Sequence, residues 1–202
     1  MRNLELKVRC SNGVTLDALA RRALAGGAVH VQTMWQRDTY FVVPRGRLKL
    51  REWRREEDGG DVSEAGSYER GEAGAALISY VRPDHSGSRF SDYRIVSIDD
   101  PEALIPLLAG ALGAKAVVEK RRAFYRYGDT RIHLDLVAEL GAFVELETVL
   151  PGGEQAAARR AASESATIAE HRAVITLLEL DGLPAVAGSY CDLLAEKEGP
   201  ER

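Results

Sequence analysis

Six stretches of this 202-residue chain place charged or polar residues at every second position. They are Asn3-Leu4-Glu5-Leu6-Lys7-Val8-Arg9, Arg47-Leu48-Lys49-Leu50-Arg51, Asp92-Tyr93-Arg94, Lys120-Arg121-Arg122, His133-Leu134-Asp135 and Glu145-Leu146-Glu147. A β-strand sends alternate side chains to opposite faces, so each stretch presents one charged face. Most of them back that face with apolar residues. If the strands share a sheet, the charges converge on one surface rich in Lys and Arg, with a small Glu/Asp cluster. Basic groups suit a polyanion, and carboxylates suit a hard divalent cation. The pattern therefore points to a metal-assisted site for a triphosphate.

Composition narrows the context. At this length the chain is expected to form one domain, 1–202, with a helical C-terminal part over 154–202. The formal net charge of −4 argues against a general nucleic-acid binder, so a basic site must be a local concentration. Cys10 and Cys191 are the only cysteines and make no metal-ligand spacing. No apolar run is long enough to span a bilayer, and Met1-Arg2-Asn3 opens no signal peptide. A cytoplasmic location, with neither membrane nor nucleic acid as partner, is the expectation.

Periodicity places the elements. Residues 3–10 read as a strand, and Thr15 to Ala25 as a helix stopped by Gly26-Gly27. Two strand-like runs follow, Val29 to Trp35 and Thr39 to Val43, before the turn Pro44-Arg45-Gly46. Arg47 to Trp53 is a strand, and the polar, Gly-rich stretch 54–75 reads as a hairpin loop. Strands are expected at Ala76–Arg82 and Ser91–Ser97. Asp99-Asp100-Pro101 then starts a helix that Gly113 ends. Three more strands come at hairpin spacing: Ala116–Tyr125, Thr130–Val137 and Gly141–Leu150. Pro151-Gly152-Gly153 closes the sheet region, residues 154–180 read as one long helix, and a short helix covers Tyr190 to Glu196. About eight antiparallel strands with helices between and after them predict an α+β fold or a closed antiparallel barrel. A barrel of this size holds charges inside only if a ligand, ion or water satisfies them.

Ordered blocks of sequence carry a resemblance. Glu5-Leu6-Lys7 matches the last three positions of an ExExK signature. Gln36-Arg37-Asp38-Thr39-Tyr40-Phe41 and Gly46 to Glu52 form a second block, and Tyr80-Val81-Arg82-Pro83-Asp84 with Ser91-Asp92-Tyr93 a third. Lys120-Arg121-Arg122, Thr130 to Asp135, Gly141 to Glu147 and Ser189-Tyr190-Cys191-Asp192-Leu193-Leu194 complete the set. Together they resemble the CYTH superfamily, the triphosphate tunnel metalloenzymes, and within it the class IV adenylate cyclase-like branch. The resemblance implies an eight-stranded antiparallel β-tunnel with helices packed outside and a Mg²⁺ or Mn²⁺ cofactor. It implies a triphosphate substrate: ATP cyclised to cyclic AMP and pyrophosphate, or hydrolysis of tripolyphosphate, thiamine triphosphate or an RNA triphosphate. Related cyclases suggest a homodimer. Asn3 departs from the pattern, standing where the signature has its first Glu. It offers a carbonyl oxygen but no charge, which also raises the alternative of a non-catalytic or repurposed binder of a phosphorylated ligand.

Roles follow from this resemblance. Glu5, Glu145 and Glu147 are the metal candidates; the last two share a strand face by their i,i+2 spacing. Lys7, Lys49, Arg51, Arg82, Arg94, Lys120 and Arg122 are the phosphate candidates, and Arg9 and Arg47 share their faces nearer the rims. Lys7, Lys49, Arg51, Lys120 and Asp135 are the expected catalytic groups, with Asp135 joining the metal or orienting a lysine. His133 shares the face of Asp135 and offers a proton shuttle, although a lone strand histidine is more often structural. Arg121 and Arg131 read as surface charges.

Overall fold

The structure, a computed structural model, describes residues 2–57, 71–150 and 160–198. Eight strands are connected as β1 (Arg2–Arg9), β2 (Val29–Phe41), β3 (Arg47–Arg55), β4 (Ala73–Val81), β5 (Arg89–Ile98), β6 (Ala114–Tyr127), β7 (Thr130–Val137) and β8 (Gly141–Val149). Helices α1 (Leu16–Ala25) and α2 (Pro101–Leu112) follow β1 and β5; α3 (Arg160–Leu177) and α4 (Tyr190–Glu198) follow the sheet. The strands close into an antiparallel barrel in the order β1-β5-β4-β3-β2-β6-β7-β8. This is the expected α+β tunnel.

The expected elements are recovered with shifted bounds. The two runs expected between residues 28 and 43 are one 13-residue strand, with a register shift between His30 and Gln32. The polar Gln36-Arg37-Asp38 does not break it, because its inner face meets charged partners. The long helix ends at Leu177, not at 180, and Glu179 takes φ +55° beyond it. The readings on 58–70, on Pro151-Gly152-Gly153 and on 154–159 lie outside the described residues.

The largest apolar core lies outside the barrel. Leu6, Val8, Ile132, Leu134, Val144 and Leu146 point outward onto Leu19 and Ala23 of α1 and Val174 of α3. On another side, Phe41, Leu50 and Ala75 are covered by Leu104, Ile105 and Leu108 of α2. Helix caps match their sequence signals: the Thr15 hydroxyl accepts from Ala18 N at 3.2 Å, and Asp100 accepts from Ala103 N at 2.9 Å. Covering the outward faces with helices leaves the inward faces free to be polar. This is why both sides of strands such as β1 are buried while only one is apolar.

Two apolar clusters interrupt the polar interior. Met34, Trp53, Ala76 and Ile78 form one, and Tyr40, Val118, Phe143, Tyr190 and Leu194 form another, to which α4 contributes. The β2–β3 turn depends on Gly46, at φ +70°, where an added Cβ would lie 2.6 Å from the Tyr80 carbonyl oxygen. Gly46→Ala is expected to destabilise the protein by about 1–3 kcal/mol, read from the urea midpoint.

Candidate active site

The inward faces build a charged tunnel. Asn3, Glu5 and Lys7 enter from β1, Lys49 and Arg51 from β3, Lys120 and Arg122 from β6, Arg131 from β7, and Glu145 and Glu147 from β8. Arg82, just past β4, joins them. Five of the six alternating stretches therefore converge. Around β1, Glu5 stands opposite Glu147 and Lys7 opposite Glu145, so register alone brings acids and bases together.

The exception is Asp92-Tyr93-Arg94. Asn3 pairs with Ser91 across β1 and β5, and paired residues share a face. Ser91, Tyr93 and Ile95 therefore line the tunnel, while Arg94 is exposed on the outer wall. Arg94 is thus removed from the phosphate-binding set: one step of register reverses every side chain.

Two buried carboxylates organise the cations. Asp38, fully buried, accepts from Lys49 Nζ at 2.8 Å and from Arg51 Nε and Nη2 at 2.6 and 2.8 Å, with Lys120 Nζ at 3.6 Å. Asp135, also fully buried, accepts from Arg122 Nε and Nη2 at 2.7 and 2.6 Å and from the Tyr190 hydroxyl at 2.8 Å. Asp135 thus orients Arg122 and Tyr190, with Lys120 further away at 3.8 Å. Glu145 pairs with Lys7 at 2.9 Å and with Arg122, and Glu5 takes a 2.8 Å hydrogen bond from Arg82.

The C-terminal segment completes the wall. β1 pairs with β5 only over Arg2–Glu5; further along, the Arg9 amide donates to Pro184 O and the Val186 amide to Lys7 O. The Gly188 carbonyl then accepts from both Lys7 Nζ at 3.4 Å and Arg82 Nη2 at 3.2 Å. Tyr190 carries its ring to 3.8 Å from Lys7 Nζ. Asp192 fixes this segment through Ser189 and through Arg47 at 2.7 Å, which places Arg47 at the rim as expected. Arg9 also lies toward an end, donating to Leu140 O.

Eight cations (Lys7, Lys49, Arg51, Arg82, Arg89, Lys120, Arg122 and Arg131) face five carboxylates (Glu5, Asp38, Asp135, Glu145 and Glu147), a formal excess of three positive charges. Titration reflects this balance. Burial, then Arg82 and Lys120 against the opposing Glu145, leave Lys7 at about 8; burial and Arg51 lower Lys49 to about 7. Burial and Arg122 also lower Lys120. Against the cost of burial, Lys7 and Arg122 hold Glu145 well below the usual carboxylate range. Glu147 moves the other way: burial and the facing Glu5 raise it.

An acidic group with metal-binding potential stands beside the cations. One donor atom from each of His133, Glu145 and Glu147 lies within 4.8 Å of the others. The His133 ring is kept neutral by burial and by Arg122. Asn3 Oδ1 and His133 Nδ1 are buried without a hydrogen-bond partner. Carboxylate oxygens beside two unused lone pairs suit a divalent cation, so the residues present fit one.

Sequence reasoning passed over several groups. Asp38 lay in a recognised block but was given no role. Arg131 was read as a surface charge, yet it lines the tunnel with its guanidinium 3.7 Å from Glu147; its i,i+2 spacing from His133 was the available signal. Tyr190 lay in the recognised tail block and was likewise given no role. Arg121, in contrast, is half-exposed and pairs with Glu56 outside the barrel.

A closed antiparallel tunnel with a basic interior and an acidic group on one wall defines the class of protein. The CYTH domain profile matches residues 1–172, and the chain belongs to that family. Comparison with curated proteins finds no match. Among solved structures, the chain is similar to the PH1012 protein of Pyrococcus horikoshii OT3, at 20% identity and a TM-score of 0.68 over 95% of this chain and 98% of that one. It is similar to a conserved hypothetical protein of Pyrococcus furiosus, at 18% identity and a TM-score of 0.68 over 95% and 99%. A candidate adenylate cyclase of Vibrio parahaemolyticus matches at 16% identity and a TM-score of 0.57 over 95% and 97%. At these identities the likeness is one of fold. No helix among the described residues is long and apolar enough to cross a membrane.

Proposed function

We propose that this protein is a metal-dependent enzyme acting on a triphosphate, and that its reaction is cyclisation of ATP to cyclic AMP and pyrophosphate. The observation that carries the reading is the buried excess of positive charge, with three lysines pushed below their ordinary pKa. Such a cluster is relieved by a polyanion. Lys7, Lys49, Arg51, Arg82, Lys120 and Arg122 bind phosphate oxygens in this reading. Asp38 and Asp135 hold the bases in place before substrate arrives. Glu145 and Glu147, with Glu5 on the neighbouring strand, hold Mg²⁺ or Mn²⁺.

In cyclisation the ribose 3′-hydroxyl attacks the α-phosphorus in line, and the bond to the pyrophosphate oxygen breaks. The lysines and arginines stabilise the charge that grows on the departing pyrophosphate. When bound, the cation neutralises phosphate charge and polarises the reacting phosphoryl group. Hydrolysis of tripolyphosphate or thiamine triphosphate is the second reading, with water attacking the terminal phosphorus. It is favoured by the cluster of Tyr40, Val118, Phe143 and Tyr190, whose packed side chains take up interior space beside the cations.

The deciding experiment incubates the protein with ATP, GTP, tripolyphosphate and thiamine triphosphate, each with Mg²⁺ or Mn²⁺, and separates the products. Cyclic AMP with pyrophosphate supports the proposal. Phosphate with a diphosphate product transfers the assignment to the hydrolase. Tight binding without turnover leaves a phosphate-ligand binder, to which the loss of charge at Asn3 points.

Either reaction carries a pH signature. Lys49 is charged below about 7 and Lys7 below about 8 in the free protein. A rise in pH through that window removes phosphate-binding charge, so kcat/KM is expected to fall across it. Lys49→Arg, which stays charged, should move the fall to higher pH. A profile that Lys49→Arg leaves unmoved would place Lys49 outside the site.

A further inference from the structure

We infer that His133 ligates the tunnel's cation through Nδ1, beside Glu145 and Glu147, and that this nitrogen makes the site prefer Mn²⁺ to Mg²⁺. The inference rests on the metal-dependent reading above and specifies which ion it uses. Its basis is geometric. Donor atoms within 4.8 Å of one another need only a small inward rotation of their side chains to close on an ion at about 2.0–2.3 Å from each. His133 and Glu145 are directly paired across β7 and β8, so two of the donors stand on adjacent rigid strands.

Two buried polar atoms beside this group lack hydrogen-bond partners. His133 is buried, its Nδ1 has no hydrogen-bond partner, and Glu147 Oε1 is 3.8 Å away, too far for a hydrogen bond. Asn3 is buried too. Its Nδ2 points at Glu147 Oε2 from 3.4 Å, and its Oδ1 has no partner. Leaving such atoms unpaired costs about 1–3 kcal/mol each. A water molecule could donate to them, but it would leave Glu147 facing Glu5 across the strand pair. A cation satisfies the lone pairs and the carboxylates together. Glu5 is held by Arg82 at 2.8 Å and its oxygens are not among the three donors that lie together, so it is left out of the set.

The donor set is therefore one imidazole nitrogen and two carboxylates, with the uncharged Asn3 beside them. Mg²⁺ favours oxygen donors and keeps its waters, whereas imidazole favours first-row transition ions. The Glu-to-Asn departure at position 3 removes a charge that would help Mg²⁺ most. Selectivity is the consequence of these two residues acting on one ion.

The test uses the full-length protein, stripped of metal and titrated with Mn²⁺ alone, then with Mg²⁺ as competitor. Electron paramagnetic resonance reports free Mn²⁺, and pulsed measurements report a directly bound nitrogen. The expected result is nitrogen coupling in the wild type and a Mn²⁺ affinity about 100-fold above that for Mg²⁺. His133→Gln should abolish the coupling and weaken Mn²⁺ about tenfold, while changing Mg²⁺ affinity less than about twofold. The wild-type coupling is informative even if the variant does not fold. Mn²⁺ bound without nitrogen coupling, equal weakening of both ions, or no Mn²⁺ binding at millimolar concentration would overturn the inference. Turnover with Mg²⁺ but no nitrogen coupling sinks this inference alone; coupling without any product sinks the enzymatic reading alone.

Discussion

Asp38→Asn is expected to lose about 3–5 kcal/mol of stability at neutral pH, the usual consequence of stripping one partner from a buried ion cluster. Asp38 is fully buried and accepts three short hydrogen bonds from Lys49 and Arg51, with Lys120 at 3.6 Å. Asparagine keeps the shape but turns one acceptor into a donor and removes the charge. Three buried cations then repel one another. The pH dependence gives a second reading of the same event. Although burial opposes it, Arg51 and Lys49 hold Asp38 well below the usual carboxylate range. A depressed folded pKa contributes stability above the unfolded value of about 3.9, and that contribution is lost as pH falls through the folded pKa. The wild type and the variant should therefore converge in strong acid. In mild alkali the gap should narrow as Lys49 sheds its proton but not close, because Arg51 stays charged against Asp38. Tripolyphosphate should raise the melting temperature of the variant more than that of the wild type, because the anion takes the place of the missing carboxylate. A variant as stable as the wild type at neutral pH would show that Asp38 does not hold the cluster.

The tunnel was legible in the chain because most of its strands are buried on two unlike faces. In β1, Leu4, Leu6 and Val8 pack outward while Asn3, Glu5 and Lys7 turn inward, so alternation records both environments at once. The same signal misleads on β5. There the inner residues Ser91, Tyr93 and Ile95 are uncharged and the outer ones, Asp92 and Arg94, are charged. Alternation says that two faces differ, not which one is inside; only the pairing of Asn3 with Ser91 decides it. β2 was harder for a related reason. Gln36 and Asp38 are buried polar residues set among exposed Trp35 and Arg37 and buried polar Thr39, so the run lost its apolar rhythm and read as a break. The role of Tyr190 was beyond local reading altogether. Its hydroxyl meets Asp135 from a helix that follows the whole barrel, a contact made by closure and not by spacing. The acidic group shows the same division: the i,i+2 spacing of Glu145 and Glu147 is written in one strand, but the approach of His133 and Asn3 depends on three strands lying side by side.

Glu147→Gln should separate catalysis from stability with opposite signs. Among the tunnel's acids, Glu147 is the one least well supported by cations: Arg131 is 3.7 Å away, while Glu5 stands directly opposite. Burial and Glu5 raise its pKa. For a carboxylate whose folded pKa exceeds the unfolded one, the charged form is disfavoured by folding, so the residue weakens the metal-free protein at neutral pH. That penalty fades as pH falls through the folded pKa. Glutamine removes the charge and keeps an oxygen, so the metal-free variant is expected to melt at the wild-type temperature or above it near pH 7, with the gap closing in acid. Turnover should move the other way. A bound cation supplies several kcal/mol of charge stabilisation, and loss of a ligand that holds it should cut kcat about 100-fold or more. Mn²⁺ should raise the melting temperature of the wild type and leave that of the variant nearly unchanged, because only an intact site couples metal binding to folding. A merely structural carboxylate would give the reverse pattern, with stability falling and any metal-dependent turnover falling only in proportion to the unfolded fraction. Normal kinetics in a well-folded Glu147→Gln would remove Glu147 from the metal site. The excess positive charge of the tunnel would then be left as the sole support for a triphosphate ligand, with no residue assigned to activate it.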